Sequence, residues 1–125
     1  MSTLGTIKNF TSAGAIAPYR IVAAGASDGI VKQATAANDK LLGCTGIGRV
    51  DTADKRIDVC LDGPQKIEFG GDVEFGDPLT SDADGRAVVA EPAAGANARV
   101  VGTALESGGL GVIGDVHIVP STLQG

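Results

Sequence analysis

The sequence is short of the residues that usually build large cores and reactive sites. Tryptophan is missing, and the only aromatic residues are Phe10, Tyr19, Phe69 and Phe75. Val, Ile, Leu and Ala must therefore fill the core of a 125-residue chain. A chain of this size is one domain and buries roughly two-thirds of its unfolded surface. Small aliphatic side chains bury less area than aromatic ones, so a single copy is expected to be modestly stable and association is a direct remedy. Histidine occurs once, as His117, and cysteine twice, as Cys44 and Cys60. That supply is too small, and the cysteines too widely spaced, for a zinc site. Both cysteines lie in apolar, strand-like runs and are expected as reduced, buried thiols.

Positive charge is scarce as well. The net charge is −5 and the ten Lys and Arg residues are scattered, whereas a nucleic-acid surface needs them clustered. No apolar run approaches the ~20 residues of a membrane span. The start carries Lys8 but no apolar stretch after it, so the expected site of synthesis and folding is the cytoplasm.

What is present is turn chemistry. The chain has 19 glycines, and the best-defined local structure is a strand, turn and strand centred on Ser81-Asp-Ala-Asp-Gly85. Asp side chains bond nearby backbone and Gly85 can take positive φ, so this turn forms without a ligand. Asp82 and Asp84 are spaced like the first two ligands of a calcium loop, but the rest of that pattern, ending in a late Glu, is missing.

A weaker copy lies upstream, with a turn at Ala26-Ser-Asp-Gly29 followed by Ile30-Val31. An Ala-rich connection follows each hairpin, and each connection enters a strand ending in Gly, namely Lys40-Leu-Leu-Gly43 and Arg99-Val-Val-Gly102. Later runs from Arg56 to Leu61 and from Gly114 to Val119 alternate apolar and polar with period two. At an offset of 59, Gly43 falls on Gly102, and Ile57, Val59 and Leu61 fall on Val116, Ile118 and Pro120. The chain reads as two similar halves of short strands, an all-β barrel with internal pseudo-twofold symmetry. Residues 34–42 have some helical character and read equally as loop. Gly63-Pro64 is expected as a turn between the halves. Residues 1–13 are polar with isolated Leu4, Ile7 and Phe10, and read as an extended N-terminal arm ahead of one domain spanning residues 14–125.

Catalytic chemistry is not legible. His117 sits in an alternating strand beside Asp115 with no nucleophile in a recognisable context. Gly46-Ile-Gly48 and Gly108-Gly-Leu-Gly111 open no helix and carry no phosphate-loop Lys, so they read as strand turns. The expectation is no enzyme, no cofactor and no metal.

The run Ile67-Glu-Phe-Gly-Gly-Asp-Val-Glu-Phe-Gly-Asp-Pro-Leu-Thr-Ser-Asp-Ala-Asp-Gly-Arg-Ala, with Ala94-Gly-Ala-Asn-Ala-Arg-Val-Val-Gly-Thr-Ala-Leu-Glu-Ser-Gly and a closing Val116-His-Ile-Val-Pro120, resembles the capsid decoration (cement, head-stabilising) proteins of tailed bacteriophages. The resemblance covers most of the chain from about Gly14 onward and is most specific at Gly-Asp-Pro-Leu-Thr. It implies a small β-barrel or β-tulip-like domain, a homotrimer on the outer capsid surface of the virion, and the major capsid protein of the same phage as partner. In that family an extended arm often makes the shell contact, which nominates Leu4, Ile7 and Phe10. Two other readings stand beside it. One is another virion accessory, such as a head-fibre base or tail protein, and the other is a small β-clip enzyme or ligand-binding domain.

Overall fold

Two five-stranded units built to one plan follow each other along the chain. The computed structural model describes residues 6–124. The first unit holds β1 (Ile7–Ser12), β2 (Ile21–Ala24), β3 (Ile30–Gln33), β4 (Leu41–Cys44) and β5 (Arg56–Cys60). The second holds β6 (Gly63–Glu68), β7 (Pro78–Ser81), β8 (Ala87–Val89), β9 (Asn97–Ala104) and β10 (Ile113–Gln124). No helix occurs among the described residues, and the stretch with helical character is a turn before β4, tied by the Thr35 amide donating to Asp39 Oδ2 at 2.8 Å. The all-β barrel class expected from the sequence is the observed one.

Strands β1–β5 close into a barrel in the order β1-β3-β2-β4-β5, and β6–β10 form a sheet in the order β6-β10-β9-β7-β8. With each strand of the second unit replaced by its counterpart five places earlier, the circuit is the same. It differs at one seam: β1 and β3 pair in parallel in the first unit, while the second has there only a parallel bridge between Phe69 and Ala87.

The two turns that anchor the reading of the sequence are the hairpin turns joining β2 to β3 and β7 to β8, with Gly29 at φ 77° and Gly85 at φ 76°. These values lie where only glycine is free of a Cβ penalty. Strands β5 and β10 alternate as their sequences do, with Ile57 and Val59 buried between exposed Arg56 and Asp58, and Val116 and Ile118 buried on either side of exposed His117.

The repeat extends to single residues, with a register slip. Gly43 and Gly102 are equivalent, since a Cβ on either would meet backbone of the neighbouring strand: Gly43 at 3.0 Å from the Cys60 carbonyl carbon, Gly102 at 2.8 Å from that of His117. Their neighbours Cys44 and Thr103 pair with Cys60 and His117. The offset between β5 and β10 is therefore 57 rather than 59. Val59 matches Val116, and Ile57 matches Gly114. A two-residue slip leaves a period-two pattern unchanged, which is why alternation could not expose it.

The interiors differ by an exchange of volume. In the first unit the barrel is filled by Ile16, Val22, Val31, Ile57 and Val59, and Ser12 is buried at its wall. In the second, Phe69 takes the position of Ser12 and is fully buried, while Gly114 takes that of Ile57. A Cβ on Gly114 would lie 2.7 Å from Phe69 Cε2, so the missing side chain on one strand makes room for the ring on the other.

The largest core cluster spans both units. Ile21, Ala23, Ala34, Leu41 and Cys44 pack with Ile67, Phe69, Leu79, Val101, Val116 and Ile118, and β4 lies against β9, β10 and β6. The hairpin turn of β7 and β8 adds polar ties across this junction. Gly85 O accepts from the Ile21 amide at 2.7 Å, and Gln33 Nε2 donates to Asp84 O at 2.8 Å. Arg20 pairs with Glu68 at 2.9 Å, and Arg86 reaches Asp82 and Asp84 at 3.1 Å each.

Two sequence expectations change here. Ile7–Ser12, read as part of an extended N-terminal arm, is barrel strand β1, antiparallel to β5 from Ile7 opposite Cys60 to Thr11 opposite Arg56. Its apolar residues are spaced by three and hide the alternation, because Ile7 points out and Phe10 packs on the barrel core. Gly63-Pro64 is not a turn but the start of β6, opposite Ile118 and His117. A proline is tolerated there because β6 pairs on one side only, as an edge strand.

Candidate functional site

Apart from Val119 on β10, the exposed large apolar side chains among the described residues fall in two places. The first is a groove between the units with a volume of about 660 Å³. Its walls include Ile7 of β1, Tyr19, Ile47, Cys60 of β5, Pro64 of β6 and Asp115 of β10. Ile47 is 81% exposed and Ile7 49%. Tyr19 holds a left-handed conformation, φ 58°, where its counterpart in the second unit is Gly76 at φ 91°. The equivalence is set by matching hydrogen bonds one residue on, Thr45 N to Arg20 O and Ala104 N to Asp77 O. A non-glycine residue in that region costs about 1 kcal/mol or more. The first unit thus retains a strained tyrosine whose ring lines the groove.

The second place is the pair of loops 70–77 and 105–112 at the end of the second unit. They are joined by the Val73–Gly108 bridge and by the Phe75 amide donating to Ser107 Oγ at 2.9 Å. Phe75 is 72% exposed and Leu110 67%, with Val112 and Ile113 also open to solvent. The first unit is an internal control. Asp54 and Gly111 are counterparts, both at positive φ and both donating to the carbonyl of the matching residue, Ser12 or Phe69. Leu110, Val112 and Ile113 therefore correspond to Ala53, Lys55 and Arg56. One plan folds with Ala53, Lys55 and Arg56 at these positions and with larger exposed aliphatics at the same positions, so the plan itself does not require the aliphatics. Contiguous exposed apolar residues of this kind mark contact surfaces.

The residues nominated from sequence separate on this surface. Leu4 lies outside the described residues. Ile7 is exposed at the groove, and Phe10 is half-buried against the barrel interior, with Lys8 Nζ 5.6 Å from its ring centroid. Only Ile7 of the latter pair is open to solvent. Asp82 does not face a cation site: its Oδ1 accepts from the amides of Asp84 and Arg86 at 2.8 and 2.9 Å, and its Oδ2 from Arg86 Nε at 3.1 Å. His117 is exposed on β10 between Pro64 and Thr103. Cys44 and Cys60 are free thiols, the first buried and the second half-buried. They lie directly opposite each other, a juxtaposition that the fifteen residues between them conceal in the sequence. The thiol of Cys44 donates its hydrogen bond to Cys60, which lowers the Cys60 pKa to about 7 against the opposing effects of burial and Asp58, and raises that of Cys44.

The apolar loops of the second unit were not nominated. Their only sequence signal was a mismatch between repeats, which becomes readable once the two-residue slip is known.

No protein-family model and no curated protein matches the chain. Among solved structures, the chain is similar to the N base of head fiber gp8.5 in bacteriophage phi29, with a TM-score of 0.65 and 23% sequence identity. That likeness covers 96% of this chain and 100% of the other. At this identity the similarity is one of fold, and it takes in both five-stranded units.

Proposed function

We propose that the chain is a structural component of a tailed-bacteriophage particle, held on the outside of the head. The observation that carries this reading is the end-to-end likeness of fold to a phage head fibre base. A likeness that spans both units and the junction is more demanding than a shared single barrel. The resemblance of residues 67–87 to capsid decoration proteins points in the same direction from sequence.

The specific role we propose is that of a decoration protein, trimeric and bridging major capsid subunits. The exposed loop residues Phe75, Leu110, Val112 and Ile113 supply the contact, with Ile7 and Ile47 at the groove as the second apolar surface. Such a protein works by mass action. It binds the expanded lattice better than any competing state and stabilises it by that difference. Three attachment points on one trimer raise the effective concentration of each, so modest contacts suffice. The same fold also serves a second reading, the base of a head fibre, favoured by the identity of the structural neighbour.

Copy number separates them. Purified protein is co-sedimented with expanded cognate heads that lack it. Saturation near one copy per major capsid subunit, with no binding to unexpanded shells, supports decoration. A few copies per particle supports a fibre base. A folded protein that binds no heads overturns both.

A further inference from the structure

Cys44 and Cys60 are direct partners across antiparallel strands β4 and β5. Opposite residues in such a pair have Cα atoms about 4.5–5.5 Å apart and side chains on one face. A disulfide needs Cα atoms about 4.4–6.8 Å apart. Cys44 is fully buried in the core shared by the two units, and Cys60 packs against that core while lining the groove. The pair is therefore stacked in depth, with one thiol at the groove and one behind it.

We propose that this pair is a dithiol modification site, in which Cys60 is the thiol attacked from the groove and Cys44 the resolving thiol, with small organic disulfides as the reacting class. The Cys60 thiolate attacks one sulfur of the disulfide RSSR. The Cys60–S–S–R bond forms, the RS–SR bond breaks and one RS⁻ leaves. Cys44 then attacks the Cys60 sulfur and its proton passes to the departing sulfur, which forms the Cys44–Cys60 bond and releases the second R group as RSH. The two electrons lost by the protein thiols end on the two released thiols. The product ties β4 to β5, and β4 is the strand that packs on β9 at the junction.

The electrostatics fit this order of events. The hydrogen bond from Cys44 favours the Cys60 thiolate and lowers its pKa to about 7, with burial and Asp58 opposing. The other ionisable groups at the groove are Tyr19, Lys66 and Asp115, and Lys66 and Asp115 neutralise each other at 2.7 Å. Reaction accelerates as pH rises through the neighbourhood of 7.

The test is native full-length protein with dithiobis-nitrobenzoate, whose released thiol absorbs visible light. Expected are two released thiols per chain and an intact mass lower by two hydrogens with no adduct. Cys44→Ala, which removes the hydrogen-bond donor, should release one thiol and keep a stable adduct. Near pH 7 its first step should be about 6-fold slower than wild type, because a thiolate fraction falling from about one half to about one hundredth is partly offset by greater nucleophilicity at higher pKa. Cys60→Ser should be inert until unfolded. The wild-type mass measurement alone decides the matter if a variant does not fold. No release without denaturant, a persistent wild-type adduct, or Cys60→Ser reacting as fast as wild type each overturns the proposal.

Discussion

The exchange of volume between the two units can be reversed by mutation, and the structure says how the reversal should behave. Phe69 is fully buried, and replacing it with Ser leaves a hole where the ring stood. Loss of a buried Phe side chain costs about 3–5 kcal/mol. Gly114→Ile makes the opposite error. Even its Cβ would lie 2.7 Å from Phe69 Cε2 and 3.1 Å from Cε1, and the rest of the side chain would enter the ring. Overpacking of this kind costs about 1–3 kcal/mol and more when the obstacle is rigid.

Combined, the two changes rebuild the arrangement of the first unit, Ser at one position and Ile at the other. The serine also has partners waiting. Ser12 Oγ donates to Thr52 O at 2.9 Å and accepts from the Lys55 amide at 3.2 Å. The counterparts of those groups at position 69 are the Gly109 carbonyl and the Val112 amide, which bond each other at 3.1 Å. Phe69→Ser/Gly114→Ile should therefore be more stable than the sum of the single changes by at least about 2 kcal/mol, well beyond the ~0.5 kcal/mol within which independent sites add. Urea unfolding of the four proteins measures it. Additivity within that margin would refute the claim that the two units are one packing solution written with two sets of side chains.

Gly43→Ala and Gly102→Ala should each destabilise by roughly 2–3 kcal/mol, because the obstacle in both is backbone that cannot rotate away, whereas Gly71→Ala, which meets nothing within 4 Å, should stay within about 0.5 kcal/mol by the same denaturation assay. Asp82→Ala removes three hydrogen bonds from the β7–β8 turn and should cost about 2 kcal/mol; Asp82→Asn, which keeps an acceptor oxygen, should cost about half as much, read as the shift in urea midpoint. Leu110→Asp should leave stability within about 0.5 kcal/mol and abolish saturable head binding in co-sedimentation, and retention of full binding would remove the 105–112 loop from the contact surface.

Much of the fold was legible because its signals are local. Gly29 and Gly85 announce their hairpins through residues that can hold positive φ, and Ile57–Val59 and Val116–Ile118 announce strands through alternation. The failures share one cause: they depend on what lies across space. Strand β1 was hidden because its partners, β3 and β5, determine which of its residues face inward. The correct repeat alignment was hidden because alternation is blind to a slip of two. The meeting of Cys44 with Cys60 is what reveals that alignment, and the contrast between Leu110, Val112 and Ile113 and their counterparts Ala53, Lys55 and Arg56 follows from it. The part of the candidate surface nominated from sequence, Leu4, Ile7 and Phe10, rests on family resemblance, and of the two described members Ile7 is the exposed one.

The repetition of one plan explains why the exposed apolar surface is lopsided. Two units that share a core must each satisfy the same internal constraints, which fixes Gly43 with Gly102 and Gly29 with Gly85. Positions outside those constraints are free to diverge, and their divergence is informative. At the groove, the first unit accepts the strain of Tyr19 where the second has Gly76. At the loop ends, the second unit exposes aliphatics where the first presents Lys55 and Arg56. If both differences were drift, they should be scattered around the surface. Instead, each coincides with an apolar surface, the groove holding Ile7 and Ile47 and the loop end holding Phe75 and Leu110. A cyclic oligomer, or a module seated on a lattice, needs two unlike surfaces on one subunit, because its contacts are head-to-tail or between different proteins. A chain made of two copies of one unit obtains them by letting each copy diverge at a different place. Exchanging the loop residues, Lys55→Val/Arg56→Ile in one unit with Val112→Lys/Ile113→Arg in the other, should therefore preserve the fold and lose assembly. Sedimentation velocity with the head-binding assay reads that outcome, and an exchanged protein that still assembled would show that the apolar loop end plays no part in it.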